Sequence, residues 1–166
     1  DVYKRQALNI NQASPTALNN LGNILSKKKN FSEAEFCYRK AIEKKSDFYL
    51  AYNNLASLLS RQGKLIEAEA FTEKAIVYNP KFELAYVNLG TIKIDLDKSL
   101  EAEELFLKAI EINKNYSYAY SNLFRLYEKT NNISKLKTKI ESLKENKNII
   151  NEVLMFKARV SFREKD

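Results

Sequence analysis

The sequence lacks histidine and tryptophan, and its 166 residues include only three glycines and two prolines. The absence of histidine excludes imidazole bases, catalytic triads that use histidine, and zinc sites that need a histidine ligand. The scarcity of glycine and proline leaves too few turn residues for a fold made of many short strands. The composition therefore favours an all-helical chain without catalytic activity of its own.

Cysteine and long apolar runs are also scarce. The single cysteine, Cys37, cannot form a disulfide within the chain, which is compatible with a reducing compartment and favours the cytoplasm. No run of 18 apolar residues predicts a membrane span. Neither a glycine-rich phosphate loop nor a metal-ligand spacing occurs, so the sequence predicts no cofactor and no metal. The 45% hydrophobic content is typical of a globular chain with a buried core.

The chain repeats itself with a period of 34 residues, which is typical of stacked helical units. Alanine stands four residues before the leucine of each recurring Asn-Leu pair, and a second stretch with helical spacing follows in the first three copies. The recurring pairs lie at 20–21, 54–55, 88–89 and 122–123.

Two amphipathic helices are predicted in each unit. Ser14 and Ser46 are placed to cap first helices, with Pro15 at the first helical position, and Gly63 is expected in the turn within its pair. The predicted helices lie near 15–28, 31–45, 48–61, 65–78, 82–95, 99–112, 116–129 and 132–145.

These residues resemble the tetratricopeptide repeat, whose unit combines an aromatic residue, a Leu-Gly pair and a tyrosine with a later alanine, aromatic, alanine and proline. The resemblance implies an all-α fold, a right-handed α-solenoid of stacked antiparallel helix pairs. Complete repeats are expected at 15–48, 49–82 and 83–116, and a degenerate repeat at 117–150. Leu18 in the first repeat and tyrosine in the others replace the usual tryptophan, and only Pro80 fills the terminal proline position.

Both ends of the chain fit incomplete repeats. Residues 1–14 match the end of a preceding repeat, and residues 151–166 match the first helix of a fifth. Residues 1–6 also resemble a translated sequencing adaptor, which would make them an artefact; a genuine helix that carries Tyr3 is the alternative. Truncated helices leave apolar stripes uncovered, which predicts self-association.

Repeat four carries large side chains at positions of close helix contact. Phe124, Leu136 and Leu143 stand where the other repeats have small residues. Their bulk is expected to push helices apart or to re-aim the next unit. The sequence therefore predicts a local change of superhelix curvature near residues 132–150.

One column of the repeat is asparagine in all four copies: Asn20, Asn54, Asn88 and Asn122. The resemblance places this column on the concave surface, and the column is similar to the asparagine ladder in the repeats of O-GlcNAc transferase. Asparagine costs about 0.5 to 0.7 kcal/mol relative to alanine within a helix. Its carboxamide can pair with the N–H and C=O of an extended peptide, so we expect a peptide-binding groove here. Further groove candidates are Asn19, Asn23 and Asn53.

A structural explanation of the same column stays open, because repeats of common descent can retain an asparagine that bonds to a neighbouring helix. The family also uses a carboxylate clamp, in which lysine and arginine grip the acidic tail of a chaperone. The matching positions here hold Asn19, Leu84 and Asn88, so we do not expect a clamp, although Asn23 and Asn54 fit its neutral members.

Three classes of function fit this pattern. The first is a noncatalytic protein-interaction scaffold that binds an extended peptide or a partner helix in its concave groove. The alternative is the recognition arm of a larger glycosyltransferase or sulfotransferase, and the third is a spacer with a featureless polar groove. Nucleic acid is disfavoured, because the middle of the chain is acidic and the aromatic residues mostly occupy core phases.

Overall fold

The computed structural model describes residues 13–143 and 154–156, and every regular element in that part of the chain is an α-helix. The all-α class is therefore confirmed, and both boundaries of α1 to α7 and the start of α8 lie within two residues of their predicted positions. The predictions for residues 1–12, 144–153 and 157–166 lie outside the described residues. The helices are α1 (Pro15–Lys27), α2 (Phe31–Lys44), α3 (Tyr49–Arg61), α4 (Leu65–Tyr78), α5 (Glu83–Asp95), α6 (Ser99–Ile112), α7 (Ser117–Lys129) and α8 (Ile133–Leu143).

The chain forms two compact units, unit 1 (Asp1–Pro80) and unit 2 (Lys81–Asp166). Unit 1 contains the helix pairs α1–α2 and α3–α4, and unit 2 contains α5–α6 and α7–α8. Within each unit, the second helix of one pair also packs against the first helix of the next. Each unit therefore has the α-solenoid arrangement of consecutive antiparallel helix pairs.

The helix ends follow the predicted chemistry at α1 but not at α3. The Ser14 hydroxyl accepts a hydrogen bond from the Ala17 N–H at 3.1 Å, with Pro15 at the first helical position, as predicted. The prediction that Ser46 caps α3 is wrong, because Phe48 occupies the cap position and makes no side-chain bond. Instead, the Tyr52 hydroxyl donates to the Ser46 carbonyl at 3.1 Å and fastens α3 to the preceding turn.

The turn inside each pair has a left-handed residue at one recurring position. Gly63 has φ +78°, as its predicted place in the turn requires. Lys29, Asp97 and Asn131 occupy the equivalent positions with φ between 52° and 63°. The turn geometry is therefore a property of the repeat, and glycine meets it only once.

The two helices of a pair pack through a small residue that faces a large one. A Cβ built on Gly22 would lie 2.5 Å from the ring of Tyr38, and a Cβ on Gly90 would lie 2.5 Å from the ring of Phe106. Both rings are buried. Repeat four lacks the small residue, since Phe124 stands at the glycine position and is buried, and a buried Ile140 takes the place of the ring.

Gly90→Ala is expected to lower the free energy of unfolding by about 1 to 3 kcal/mol, because the added methyl group overlaps a fixed aromatic ring. Urea denaturation followed by circular dichroism measures this loss. Ala56, in the same phase, lies in the pair that has Thr72 in place of the ring, so Ala56→Gly is the matched control. A Gly90→Ala protein as stable as the parent would contradict this packing.

Candidate peptide-binding groove

Unit 1 contains a cavity of about 230 Å³ between the first helices α1 and α3, with α2 contributing Tyr38 to its wall. None of the residues that line it is acidic, and Lys27 is the one that carries a charge. We call this cavity the α1–α3 groove. Its lining consists of Asn23, Ser26, Lys27, Tyr38, Asn54, Ser57 and Leu58.

Asn54 is held in the groove by a neighbouring asparagine. Its Nδ2 donates to Oδ1 of Asn19 at 2.9 Å, and Asn19 is only 5% exposed. A carboxamide has two N–H donors and one oxygen acceptor. The bond to Asn19 therefore fixes the orientation of Asn54 and leaves one N–H and the oxygen available to a ligand.

Asn23 is oriented by a tyrosine on the second helix. The Tyr38 hydroxyl donates to Oδ1 of Asn23 at 2.8 Å. Burial raises the pKa of Tyr38 to about 12, although hydrogen bonding with Ser26 acts in the opposite direction, so the phenol stays protonated at neutral pH. Because its oxygen is occupied, Asn23 presents N–H donors to the groove.

One end of the groove is basic. Lys27 is exposed at the end of α1. Arg61, at the end of α3, donates from Nη1 to the Ser26 hydroxyl at 3.2 Å, and its guanidinium lies 4.9 Å from the centre of the Phe31 ring. These two cations border a lining without a carboxylate, so this end of the groove favours an anionic group.

The four asparagines of the predicted column have different surroundings. Asn20 is exposed, Asn54 lines the groove, and Asn88 is half-buried in unit 2. Asn122 is 8% exposed, and its Nδ2 donates to the Tyr118 carbonyl of its own helix at 2.8 Å. Asn122 has Val87 at the position where Asn54 has Asn19, and valine offers no polar partner.

The three further groove candidates also differ from one another in position and exposure. Asn23 lines the groove, Asn19 supports it from a buried position, and Asn53 is 2% exposed within unit 1. Ser26, Lys27 and Ser57 also line the groove and were not among the predicted residues. Ser57 stands three residues after Asn54, as Asn23 does after Asn20, and this spacing places each pair on one helix face. That recurrence was a usable signal. Ligand contact by these asparagines stays a prediction.

Within the described ranges 13–143 and 154–156, no helix is long and apolar enough to cross a membrane. The same residues contain no cluster of three or more cysteine, aspartate or glutamate side chains that could hold a metal ion. Cys37 is buried, and burial raises the pKa of its thiol.

Family models described as the tetratricopeptide repeat match most of the chain. No curated protein matches it significantly. The matched segments are 15–48, 37–70, 84–116 and 105–141.

Several solved structures are similar to the chain. The first TPR domain of Spaghetti (RPAP3), bound to the HSP90 peptide SRMEEVD, is 25% identical with a TM-score of 0.66 over 70% of this chain and 93% of that one. The first TPR domain of human RPAP3 is also 25% identical, with a TM-score of 0.66 over 69% and 90%. YrrB, described as a TPR protein with an unusual peptide-binding site, shares the fold at 19% identity and a TM-score of 0.69 over 97% and 83%.

Proposed function

Because the chain belongs to the tetratricopeptide repeat family, we propose that it is a protein-interaction scaffold whose α1–α3 groove binds an extended peptide. The observation that carries this proposal is the pair of oriented amides, Asn23 and Asn54. Each is fixed by a hydrogen bond to a neighbouring side chain and presents its remaining polar atoms to the groove. We assign no catalytic role to the described residues.

The two amides match the backbone of a peptide. The N–H groups of Asn23 suit a peptide carbonyl, and the oxygen and second N–H of Asn54 suit a peptide N–H and C=O. Leu58 forms part of the groove wall and is only 1% exposed, so the polar side chains supply the contacts. Because backbone groups are common to all sequences, this set tolerates many side chains and selects an extended conformation.

Selectivity comes from the basic end of the groove. Lys27 favours an acidic side chain of the peptide at that end. Asn19, which occupies a clamp position, is buried and bonded to Asn54, so this position supplies no cation for a terminal carboxylate. The ligand is therefore an internal peptide segment with an acidic residue, rather than a free C-terminus.

Asn23→Ala and Asn54→Ala are each expected to weaken peptide binding about tenfold. Each asparagine side chain is already oriented before the peptide binds, and its removal loses a hydrogen bond to the peptide backbone. Peptides are selected from a random displayed library, synthesised with acetyl and amide ends, and titrated by calorimetry. Asn20→Ala is the matched control, since Asn20 is exposed and does not line the groove.

Unchanged affinity in the Asn54→Ala protein, together with lower stability, would assign this asparagine a structural role and overturn the proposal. The peptide SRMEEVD provides a second comparison. Its free and amidated forms are expected to bind equally weakly, because the groove holds no clamp for the terminal carboxylate. A strong preference for the free form would contradict the predicted chemistry.

The transferase alternative and the self-association of the chain stay predictions. A longer reading frame that encodes a catalytic domain would support the recognition-arm function. Light scattering at working concentration tests whether the chain associates with itself.

A further inference from the structure

Unit 2 contains a cleft of about 520 Å³ between the second helices α6 and α8, which we call the α6–α8 cleft. Leu107 of α6 and Lys139 of α8 are among its lining residues, and α7 contributes Tyr127. The α1–α3 groove of unit 1 lies between first helices, so the two sites differ in both place and composition.

The equivalent positions two repeats earlier, in unit 1, are filled. Arg39 occupies in unit 1 the repeat position that Leu107 has in unit 2. Nη2 of Arg39 lies 2.8 Å from Oε1 of Glu35 and 2.6 Å from Oε1 of Glu67. The Arg39 guanidinium also lies 5.4 Å from the centre of the Phe71 ring, which has the phase of Lys139. One long side chain therefore bridges α2 and α4 and covers the surface between them.

In unit 2 these two large side chains are replaced by Leu107 and Lys139. The charge pattern of the bridge is also reversed, because Lys135 stands in the phase of Glu67 and pairs with Glu103 at 2.7 Å. The replacement removes the covering side chain while it keeps an ion pair between the helices. The cleft is therefore open where Arg39 covers the surface in unit 1, and the Lys135–Glu103 pair closes one end of it.

The Glu103 carboxylate at this end is neutralised. Its Oε1 accepts hydrogen bonds from the Tyr127 hydroxyl at 2.9 Å and from Lys135 Nζ at 2.7 Å. Burial and the nearby Glu103 raise the pKa of Tyr127, so its hydroxyl remains a donor at neutral pH. Glu103 therefore repels an anionic ligand much less than a free carboxylate would.

The remaining lining offers three kinds of contact. Leu107 is 38% exposed and supplies an apolar surface. The Thr138 hydroxyl donates to the Ser134 carbonyl at 3.0 Å, and the Ser142 hydroxyl donates to the Lys139 carbonyl at 2.8 Å, so both oxygens stay available as acceptors. The Lys139 ammonium forms no ion pair with any described residue.

We propose that the α6–α8 cleft binds a second peptide segment, in which an acidic residue lies next to a leucine-sized apolar residue. The apolar side chain packs on Leu107, the carboxylate pairs with Lys139, and peptide N–H groups donate to the hydroxyl oxygens of α8. Charge complementarity selects the acidic residue, because the one uncompensated charge of the lining is positive.

The test is a titration of the full chain with the peptide acetyl-Leu-Glu-Leu-Glu-amide, followed by methyl and amide NMR shifts. The shifts are expected at Leu107 and along α8, and the charge-reversed peptide acetyl-Leu-Lys-Leu-Lys-amide should bind at least about tenfold more weakly. Leu107→Arg restores the residue found in unit 1 and is expected to close the cleft and abolish these shifts.

Lys139→Gln removes the positive charge but keeps a polar side chain, and it should weaken binding about tenfold even if Leu107→Arg disturbs the fold. Asn54→Ala should leave this affinity unchanged, which separates this proposal from that of the α1–α3 groove. Absence of shifts at Leu107 up to about 1 mM peptide, or unchanged affinity in Lys139→Gln, would overturn the proposal.

Discussion

Phe106→Ala is expected to lower the free energy of unfolding of unit 2 by about 3 to 5 kcal/mol. Phe106 is completely buried, and its ring occupies the space beside Gly90, where even a single added carbon would lie 2.5 Å away. Removal of the ring leaves a cavity that the backbones of α5 and α6 can fill only by moving together. Urea denaturation followed by circular dichroism measures the loss.

Leu107→Ala provides the control for this prediction. Leu107 follows Phe106 directly but is 38% exposed, so its truncation should change the free energy of unfolding by about 0.5 kcal/mol or less. A double-mutant cycle adds a sharper criterion, because Gly90→Ala should cost less once the Phe106 ring is absent. Equal costs of Phe106→Ala and Leu107→Ala would refute the packing.

Phe124→Ala is also expected to lower the free energy of unfolding of unit 2 by about 3 to 5 kcal/mol. Phe124 is completely buried, and its ring centre lies 4.9 Å from that of Phe156 in an edge-to-face arrangement. Tyr120 lies on its other side, with 6.2 Å between ring centres. Loss of this ring therefore removes core packing and also the contact that holds residues 154–156.

Phe156→Ala tests that second contribution. The two single substitutions should be non-additive by about 0.5 to 1.5 kcal/mol, the value typical of an aromatic pair beyond its buried area. Met155→Ala is the matched control, because Met155 is 41% exposed beside a fully buried neighbour. Strict additivity of Phe124→Ala and Phe156→Ala would show that the two rings do not interact in solution.

The helix pattern was predictable because it depends on short-range periodicity. Apolar residues at helical spacing, repeated four times, place both boundaries of α1 to α7 and the start of α8 within two residues. The cap of α1 was predictable for a similar reason, since Ser14 bonds to an N–H only three residues away. The cap predicted at Ser46 failed because α3 begins only at Tyr49, so Phe48 is the cap residue and Ser46 lies two positions before it.

Two polar residues show what the repeat pattern cannot give. Lys93 stands in the phase of Leu59, yet it is buried to 8% exposure and pairs with Glu101 of the following helix. That ion pair also lowers the pKa of Glu101. Its existence depends on where α6 places a carboxylate, and the phase alone would predict another apolar side chain.

The sequence by itself determined the all-α class, the 34-residue unit and the two helices of each unit, because these depend on contacts that every repeat makes in the same way. Tertiary structure decided which asparagines line the α1–α3 groove. Asn54 meets Asn19 across two helices and is turned into the groove, whereas Asn122 has Val87 at the equivalent place and bonds to its own helix. A repeat phase fixes the helix face, but the partner on the neighbouring helix fixes the direction of the amide.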